Sequence, residues 1–493
     1  MRPLAGNERV GPVPLVTTPI VPLLGNVCTI LGFLRSRGGP VPSKPAPMDP
    51  SQQAALDSIL SGENVFLTGG AGAGKSHVID EARRQLKRHG KSVVVCAPTG
   101  VAALNVRGST VHRAFQLGLG VRQPGRARVV PTLENADAVI IDEVSMLRVD
   151  VFDAVCESLE KMRRTPQLVV VGDLCQLPPV VTGADRDALL DAYEALWRGP
   201  YCFQGLHWDA WGFHPHVLRE QHRQSDDGFL RALNQVRHGN ELGLGWIAQE
   251  SSPDELEGAP YLAAYNKVVD AKNAAELRRL PGRERTYEAV RKGSVGKVGP
   301  AADVLTLKVG ARVVFLKNDP EGRWVNGTLG TVAGLGPKSV TVDKDDGEAV
   351  RVEVATWESI DYEKEPGTGK LKEHVAGTFK QLPLRLAWAM TIHKAQGLTL
   401  DKMNLDPACF ETGQLYVALS RVREAGDLHL VRPLQPSYLR FDPAVEAFHQ
   451  EVWQQCRDWP DGDRATRRPS WPEVRGSIET RRAAAALGQA GLL

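Results

Sequence analysis

A glycine-rich stretch near residue 70 has the residue types and spacing that bind phosphate groups. Residues 69–76 fit the pattern G-x-x-x-x-G-K-[ST], between the apolar run 65–68 and a helical pattern over 77–89. In such a loop the backbone N–H groups and the helix N-terminus surround a phosphate, the lysine neutralises charge and the hydroxyl ligates Mg²⁺. We expect Lys75 to act in catalysis and Ser76 to hold the metal. The expected phosphate contacts are Gly70, Ala71, Gly72, Ala73, Gly74, Lys75 and Ser76.

Two adjacent carboxylates, Asp142 and Glu143, directly follow a second apolar run at 138–141. The carboxyl ends of parallel strands are where α/β sheets place ligands. We expect Asp142 to hold Mg²⁺ through water, and Glu143 to orient or deprotonate an attacking water. A third apolar run, 168–171, precedes Gln176, whose amide is placed to contact a γ-phosphate and report its hydrolysis.

Another stretch is suited to a polynucleotide. After the predicted strand 93–97, Thr99 and Gly100 offer small donors for phosphate oxygens. His112 and Phe115 offer flat faces on which bases can stack. Asn105, in the same stretch, completes this candidate set for the first part of the chain.

These stretches, with further motifs in the same order, resemble superfamily 1 helicases, most closely the Pif/RecD-like branch. The resemblance runs from about residue 49 to about 433. The further motifs are S-Q-Q-A-A-L at 51–56, the signature E-V-S-M-L-R-V-D-V-F-D-A-V-C-E-S-L-E-K-M-R at 143–163, L-R-E-Q-H-R-Q-S-D at 218–226, T-I-H-K-A-Q-G-L-T-L-D at 391–401 and G-Q-L-Y-V-A-L-S-R-V-R at 413–423.

The resemblance implies an ATP- and Mg²⁺-dependent DNA helicase that moves 5′-to-3′ on single-stranded DNA and acts at junctions with duplex. It implies that Gln53 reads adenine, and that Arg223 and Arg421 act on the γ-phosphate. A guanidinium reaching that phosphate from a second domain stabilises transition-state charge. The DNA contacts that it implies in the second domain are Thr391, His393 and Lys394.

The fold class that we expect to position these residues is α/β, with two RecA-like P-loop domains built on parallel sheets, as the resemblance implies. The predicted boundaries are an extension at 1–48, a first domain at 49–201 with a short wedge at about 116–133, a second domain at 202–310 and 381–433, an inserted SH3-like β-barrel at 311–380, and a helical tail at 434–493. The second part of the second domain is expected to begin with a strand at 384–391.

Because the insert carries ten basic and twelve acidic residues, we expect it to close over the DNA strand or contact the wedge rather than bind DNA by charge. In the tail, residues 445–453 are expected to form a small packing helix, and a partner-docking surface is the alternative.

Composition narrows the class of protein. The net charge of +2 excludes a chain held to nucleic acid by its overall charge, so the DNA site must be a local groove. Seven scattered cysteines without a C-x-x-C pair favour a reducing compartment. That fits the cytoplasm or nucleoid for a bacterial or phage protein, and the nucleus or mitochondrion for a eukaryotic one.

The N-terminal 48 residues hold 9 of the 33 prolines and include an uncharged run at 10–34. A disordered extension is the interpretation that this composition favours; a targeting peptide and a membrane span are the alternatives. We expect the working protein to begin near Met48, with a monomeric core and no membrane association.

Three other functions share most of these motifs. One is a RecD-like subunit of a recombination nuclease complex, and another is a fragment of a conjugative relaxase-helicase. The third is a DNA-stimulated ATPase that remodels protein partners without unwinding. Comparing displacement of strands from duplexes with a 5′ tail or a 3′ tail discriminates among them.

Overall fold

A computed structural model describes residues 47–118, 120–224, 226–294, 301–324, 326–364 and 371–457. The chain divides into two units, Met1–Met48 and Asp49–Leu493, and the described helices and strands lie in the second. The expectations for the N-terminal extension fall on residues 1–46, outside the described ranges. Within those ranges, no helix combines the length and the hydropathy that crossing a bilayer requires.

The first domain is built on a six-stranded parallel sheet with the order β3-β2-β4-β5-β1-β6. Its strands are β1 (Val65–Gly69), β2 (Val93–Ala97), β3 (Ser109–Thr110), β4 (Ala138–Ile141), β5 (Gln167–Val171) and β6 (His214–Leu218). The helices are α1 (Pro50–Ser61), α2 (Lys75–Arg88), α3 (Gly100–Asn105), α4 (Val111–Ala114), α5 (Val149–Glu160) and α6 (Gly183–Tyr193). Strands β1, β2 and β4 are buried along their whole length, as expected for apolar runs in a parallel sheet covered on both faces.

The predicted end of the first domain at residue 201 is wrong. Strand β6 pairs in parallel with β1, from Val65 opposite His214 to Gly69 opposite Leu218. The first domain therefore extends at least to Leu218. Strand β6 lies at the edge of the sheet, where its side chains are only half-buried, and it therefore tolerates the polar residues at 214 and 216. A search for apolar runs does not find such a strand.

The second domain has a four-stranded parallel sheet with the order β18-β7-β19-β20. Its strands are β7 (Tyr261–Ala263), β18 (Ala389–Thr391), β19 (Met403–Leu405) and β20 (Leu428–Leu430). The helices are α7 (Asp227–Arg237), α8 (Glu241–Glu250), α9 (Asn266–Arg279), α10 (Ile392–Ala395) and α11 (Gln414–Leu419).

An antiparallel β region interrupts the second domain between α9 and β18. It contains a five-stranded sheet with the order β14-β13-β12-β11-β17, a three-stranded sheet β15-β16-β9 and the pair β10-β8. The strands are β8 (Arg285–Glu288), β9 (Val290–Gly293), β10 (Val304–Leu307), β11 (Arg312–Phe315), β12 (Leu329–Leu335), β13 (Ser339–Lys344), β14 (Ala349–Glu353), β15 (Ala355–Lys364), β16 (Leu371–Gln381) and β17 (Leu384–Leu386). The alternating valines at 340, 342, 350 and 352 form its buried face, as their period of two predicts.

The predicted insert, 311–380, is too short at both ends. Strand β9 pairs with β16, so the β region begins before residue 311. Strand β17 pairs antiparallel with β11, so residues 384–386 belong to the β region and only Ala389–Thr391 returns to the parallel sheet. Residues 384–391 are largely apolar apart from Arg385 and Thr391, which concealed the break between the two strands.

The last described helix, α12 (Pro443–Arg457), returns to the first domain after the second domain is complete. Phe448 stacks on Phe203 with the ring centroids 4.4 Å apart, and Val445 and Val452 join the core of the first domain. The packing helix expected from residues 445–453 therefore exists, and it is longer than predicted.

Candidate functional site

The phosphate-loop lysine lies at the point where β1 turns into α2. Its ammonium donates to Gly69 O at 2.9 Å and to Gly70 O at 3.1 Å, so it occupies the loop itself. Desolvation lowers the pKa of Lys75, while the nearby carboxylates of Asp173 and Glu143 oppose that shift. Gly72 needs to be glycine, because its φ is +83° and a Cβ would lie 2.6 Å from Arg223 Cβ.

A cleft of about 480 Å³ opens beside this loop and is lined from both domains. The first domain contributes the loop, Glu143 and Gln176; the chain after β6 contributes His222, Arg223, Gln396, Gly397, Thr399, Arg421 and Arg423. The structure therefore brings together all five residues that were predicted to be catalytic: Lys75, Glu143, Gln176, Arg223 and Arg421. Sequence reasoning missed Arg423 and Gln396.

The paired carboxylates lie at the end of β4. Burial, together with the neighbouring charge of Glu143, raises the pKa of Asp142 to about 7. Burial also raises the pKa of Glu143, against the attraction of Lys75 and Arg421. The backbone of Glu143 is left-handed, with a φ of +52°, which is uncommon for a residue with a Cβ.

The donors present fit a hard divalent cation. Ser76 offers a hydroxyl that lines the cleft, and Asp142 offers a carboxylate that is only 8% exposed. Oxygen ligands of this kind suit Mg²⁺. A cation beside Asp142 would also relieve the unfavourable charge that raises its pKa.

Both predicted arginines line the wall of the cleft, held by the backbone of the second domain. Arg223 Nη1 donates to Ser420 O at 3.1 Å. Arg421 is 2% exposed and donates to Val417 O at 2.7 Å and to Leu398 O at 3.2 Å. Burial, together with the nearby charge of Arg223, lowers the pKa of Arg421 to about 9.

The glutamine that contacts the phosphate loop is Gln52, which corrects the prediction of Gln53. Gln52 is 3% exposed, and its Nε2 donates to Ala73 O at 3.1 Å. Gln53 points to solvent, where its amide donates to Asp57 at 2.8 Å. Successive residues of a helix face different directions, so only one of the two can reach the loop.

A buried network joins the phosphate loop to the second domain. The Asp173 carboxylate accepts from Arg237 Nη2 at 2.8 Å and from the Tyr416 hydroxyl at 3.3 Å, and it also accepts from Gln176 Nε2 at 3.3 Å. The Tyr416 hydroxyl accepts from Ala71 N at 2.9 Å. Burial alone would raise the pKa of Asp173, but Arg237 and Lys75 outweigh it and hold the pKa at about 2.

Only some of the residues that were predicted to bind DNA in the first domain have accessible side chains. Thr99, Gly100 and His112 are half-buried, and Asn105 is exposed at the end of α3. Phe115 is 2% exposed and packs in the core of the first domain, so the prediction that it stacks on a base is wrong. It lies four residues after the buried Val111, and the two side chains share the inward face.

In the second domain, His393 and Lys394 are exposed on α10. Thr391 is 3% exposed and caps that helix, its hydroxyl accepting from Lys394 N at 3.4 Å. Its predicted side-chain contact with DNA is therefore corrected to a helix cap.

The β region covers part of the face predicted to bind DNA. Strand β15 packs against α3, α4 and the 3₁₀ turn Pro131–Leu133. Arg113 of α4 donates to the Ser359 hydroxyl at 3.2 Å. The β region therefore contacts residues 131–133, at the end of the segment that was predicted to be the wedge. The described residues between 116 and 130 form neither helix nor strand, and Asp150 and Glu157 of α5 accept from their backbone N–H groups.

A P-loop domain and a second α/β domain that meet at an arginine-lined cleft define the class of two-domain P-loop NTPases. The pattern of the PIF1-like helicase family matches residues 48–242. The ATP-dependent DNA helicase Pif1 of Bdellovibrio bacteriovorus is 36% identical over 84% of this chain and 94% of its own length. The chain belongs to the PIF1-like helicase family, which confirms the resemblance drawn from the motifs.

Solved structures of Bacteroides sp Pif1, 30% identical to this chain, cover 83% of it. The unliganded structure has a TM-score of 0.73, and the match covers 97% of the Bacteroides chain. The structure bound to ssDNA has a TM-score of 0.59, and the match covers 98% of the Bacteroides chain. The complex with ADP-AlF4, at a TM-score of 0.74, is as similar as the unliganded structure, and both are more similar to the arrangement described here than the structure bound to ssDNA.

Proposed function

We propose that this chain is an ATP-dependent DNA helicase that moves 5′-to-3′ along single-stranded DNA. The observation that carries the proposal is the cleft that combines Lys75, Glu143 and Gln176 of the first domain with Arg223 and Arg421 of the second. Family membership supports the activity, since curated relatives are ATP-dependent DNA helicases. The polarity rests on the resemblance of the motifs alone.

In the proposed reaction, Lys75 and the loop N–H groups bind the phosphates; Ser76 and Asp142 would hold Mg²⁺, which would neutralise phosphate charge. Glu143 takes a proton from the attacking water. Arg223 and Arg421 stabilise the charge that develops on the γ-phosphoryl group. Because the arginines belong to the second domain, closure of the cleft depends on the γ-phosphate, and hydrolysis permits opening.

The strand is proposed to cross the ends of both sheets, touching Thr99, Gly100, Asn105 and His112 on the first domain and His393 and Lys394 on the second. Contacts to phosphates give affinity that falls with salt, and they read no sequence. For a strand to lie on α3 and α4, β15 has to move away from them.

Strand displacement from three duplexes tests this function: one with only a 5′ tail, one with only a 3′ tail and one blunt. We expect ATP-dependent displacement of the 5′-tailed duplex alone. Displacement only from the 3′ tail would refute the polarity. ATP hydrolysis stimulated by DNA without displacement would favour a remodelling ATPase.

The Glu143→Gln variant tests the chemistry independently. It should bind ATP and hydrolyse it at least about 10²-fold more slowly, the usual contribution of a general base. If the variant instead loses ATP binding, Glu143 is a metal or structural residue. Near-normal turnover would also remove it from the reaction.

A further inference from the structure

The side chain of Gln396 lies between the two first-domain groups that face the reacting phosphate. Its Nε2 donates to Glu143 Oε2 at 3.4 Å and to Gln176 Oε1 at 3.3 Å. An amide nitrogen carries two hydrogens, so these two bonds use its full donor capacity. Both distances are at the long end for hydrogen bonds, and a shift of well under 1 Å would break them.

Gln396 is also attached to the predicted DNA contacts of the second domain. It caps the C-terminus of α10, and its backbone N–H donates to His393 O at 3.3 Å. The exposed side chains of His393 and Lys394 stand on the same short helix. Any displacement of α10 by a bound strand is therefore passed directly to Gln396.

The segment around Gln396 is held on its second-domain side by Arg421. That guanidinium donates to Ala395 O at 3.4 Å and to Leu398 O at 3.2 Å, on either side of the glutamine. Gly397 has a φ of +82°, which permits the turn after it. The backbone of Gln396 therefore moves with the second domain, while its side chain is hydrogen-bonded to Glu143 and Gln176 of the first domain.

We propose that Gln396 is a positioning residue through which a DNA strand on α10 controls ATP hydrolysis. Without DNA its amide engages Glu143 and Gln176, and strand binding at His393 and Lys394 withdraws it and releases both. The inference rests on the proposed roles of those residues. While Glu143 Oε2 accepts from the amide, the carboxylate is held in one orientation and one of the acceptor positions of that oxygen is filled, so it is not free to turn toward an attacking water. While the carbonyl of Gln176 accepts from it, Gln176 is not free to turn toward the phosphate.

Replacing Gln396 with methionine tests the proposal, because methionine has a similar length and no donor. We would measure kcat and KM for ATP with and without saturating single-stranded oligothymidylate, and the Kd for the oligonucleotide by fluorescence anisotropy. We expect kcat without DNA to rise about threefold to tenfold, the effect of losing a hydrogen bond or two. Stimulation by DNA should fall by the same factor, and the Kd should stay within about twofold. Gln249→Met, on the exposed face of α8, is the matched control.

An increase in DNA-free turnover is a readout that general structural damage does not produce. An unchanged or lower kcat without DNA would overturn the proposal. Gln396→Ala provides a second variant should methionine disturb folding, which thermal unfolding reports, and the same increase is expected from it.

A double variant separates this inference from the proposed function. If Glu143→Gln alone hydrolyses ATP normally, the assignment of the base fails, whatever Gln396 does. If Glu143→Gln is slow, adding Gln396→Met should raise the rate by a smaller factor than in the wild-type background, because no carboxylate is left to release and only Gln176 is freed. A rate increase of the full size in that background would show that Gln396 does not act through Glu143 and would overturn the inference.

Discussion

Replacing Arg237 with methionine should strongly destabilise the protein, because it leaves a buried carboxylate without its partner. Asp173 is fully buried and Arg237 is 4% exposed in its side chain, so solvent replaces neither charge. Removing one member of a buried ion pair costs about 3–5 kcal/mol. For a domain of this size, that corresponds to a fall in Tm of roughly 6–20 °C.

The pH dependence of the fall in Tm shows whether the unpaired carboxylate of Asp173 causes it. In the wild type the pKa of Asp173 is held at about 2, below its unfolded value near 3.9. Its contribution to stability is therefore present above about pH 4 and is lost as the pH falls toward 2. In Arg237→Met, burial should raise the pKa of Asp173 above the unfolded value. Protonation then relieves the penalty, so the difference in Tm from the wild type should narrow as the pH falls from 7 to 5.

Thermal unfolding of four proteins at both pH values completes the test. Arg231→Met on the exposed face of α7 is the matched control and should unfold like the wild type. Asp173→Asn combined with Arg237→Met removes both charges and should recover at least half of the lost Tm. A loss that is independent of pH, or equal in the single and the double variant, would refute the ion-pair argument and assign the effect to packing.

Three further predictions concern residues at the two candidate sites. Gln52→Ala should raise KM for ATP about twofold to tenfold, the effect of losing one hydrogen bond next to the loop, whereas Gln53→Ala should leave it unchanged; ATPase titrations compare them, and the reverse result would restore Gln53. Lys75→Ala should abolish ATP turnover and retain binding of single-stranded DNA, measured by anisotropy; near-normal hydrolysis would contradict the loop assignment. Phe115→Ala should cost about 3–5 kcal/mol of stability through the cavity it leaves; a variant with unchanged Tm and weakened DNA binding would return Phe115 to the DNA face.

The sequence predicts the catalytic half of the cleft well, because local patterns specify it. A phosphate loop is a continuous stretch between a strand and a helix, and the carboxylates follow a buried strand directly. The choice between Gln52 and Gln53 was also available locally. Asp49 and Gln52 form a capping box, and Gln52 shares the inward face with Ala55, Leu56 and Ile59. The helical period, applied to polar residues too, would have selected Gln52.

Contacts between residues that are far apart in the chain cannot be predicted from local sequence patterns. Arg237 is 64 positions from Asp173, Tyr416 is 243 positions from it, and Gln396 is 253 positions from Glu143. No periodicity or spacing relates such residues, because the topology of two sheets brings them together. The same holds for β6 and β17, whose sheets are decided by pairing partners far away in the chain.

The path of the chain explains why the buried network lies where it does. The chain leaves the first domain after β6 and returns to it with α12, so two segments connect the domains. Asp173 of the first domain, Arg237 of α7 and His449 of α12 meet at one point, where Arg237 Nη2 is 3.2 Å from His449 Nε2. Because a guanidinium only donates, that histidine nitrogen accepts, and the ring is neutral; burial and the charge of Arg237 accordingly hold the pKa of His449 at about 3. A junction tied by an ion pair and two chain connections moves less than the surfaces remote from it. Relative rotation of the domains is therefore expected to leave Asp173 and Arg237 in contact, whereas a group joined to this junction only by long hydrogen bonds, such as Gln396 at 3.3 Å from Gln176, is expected to separate first.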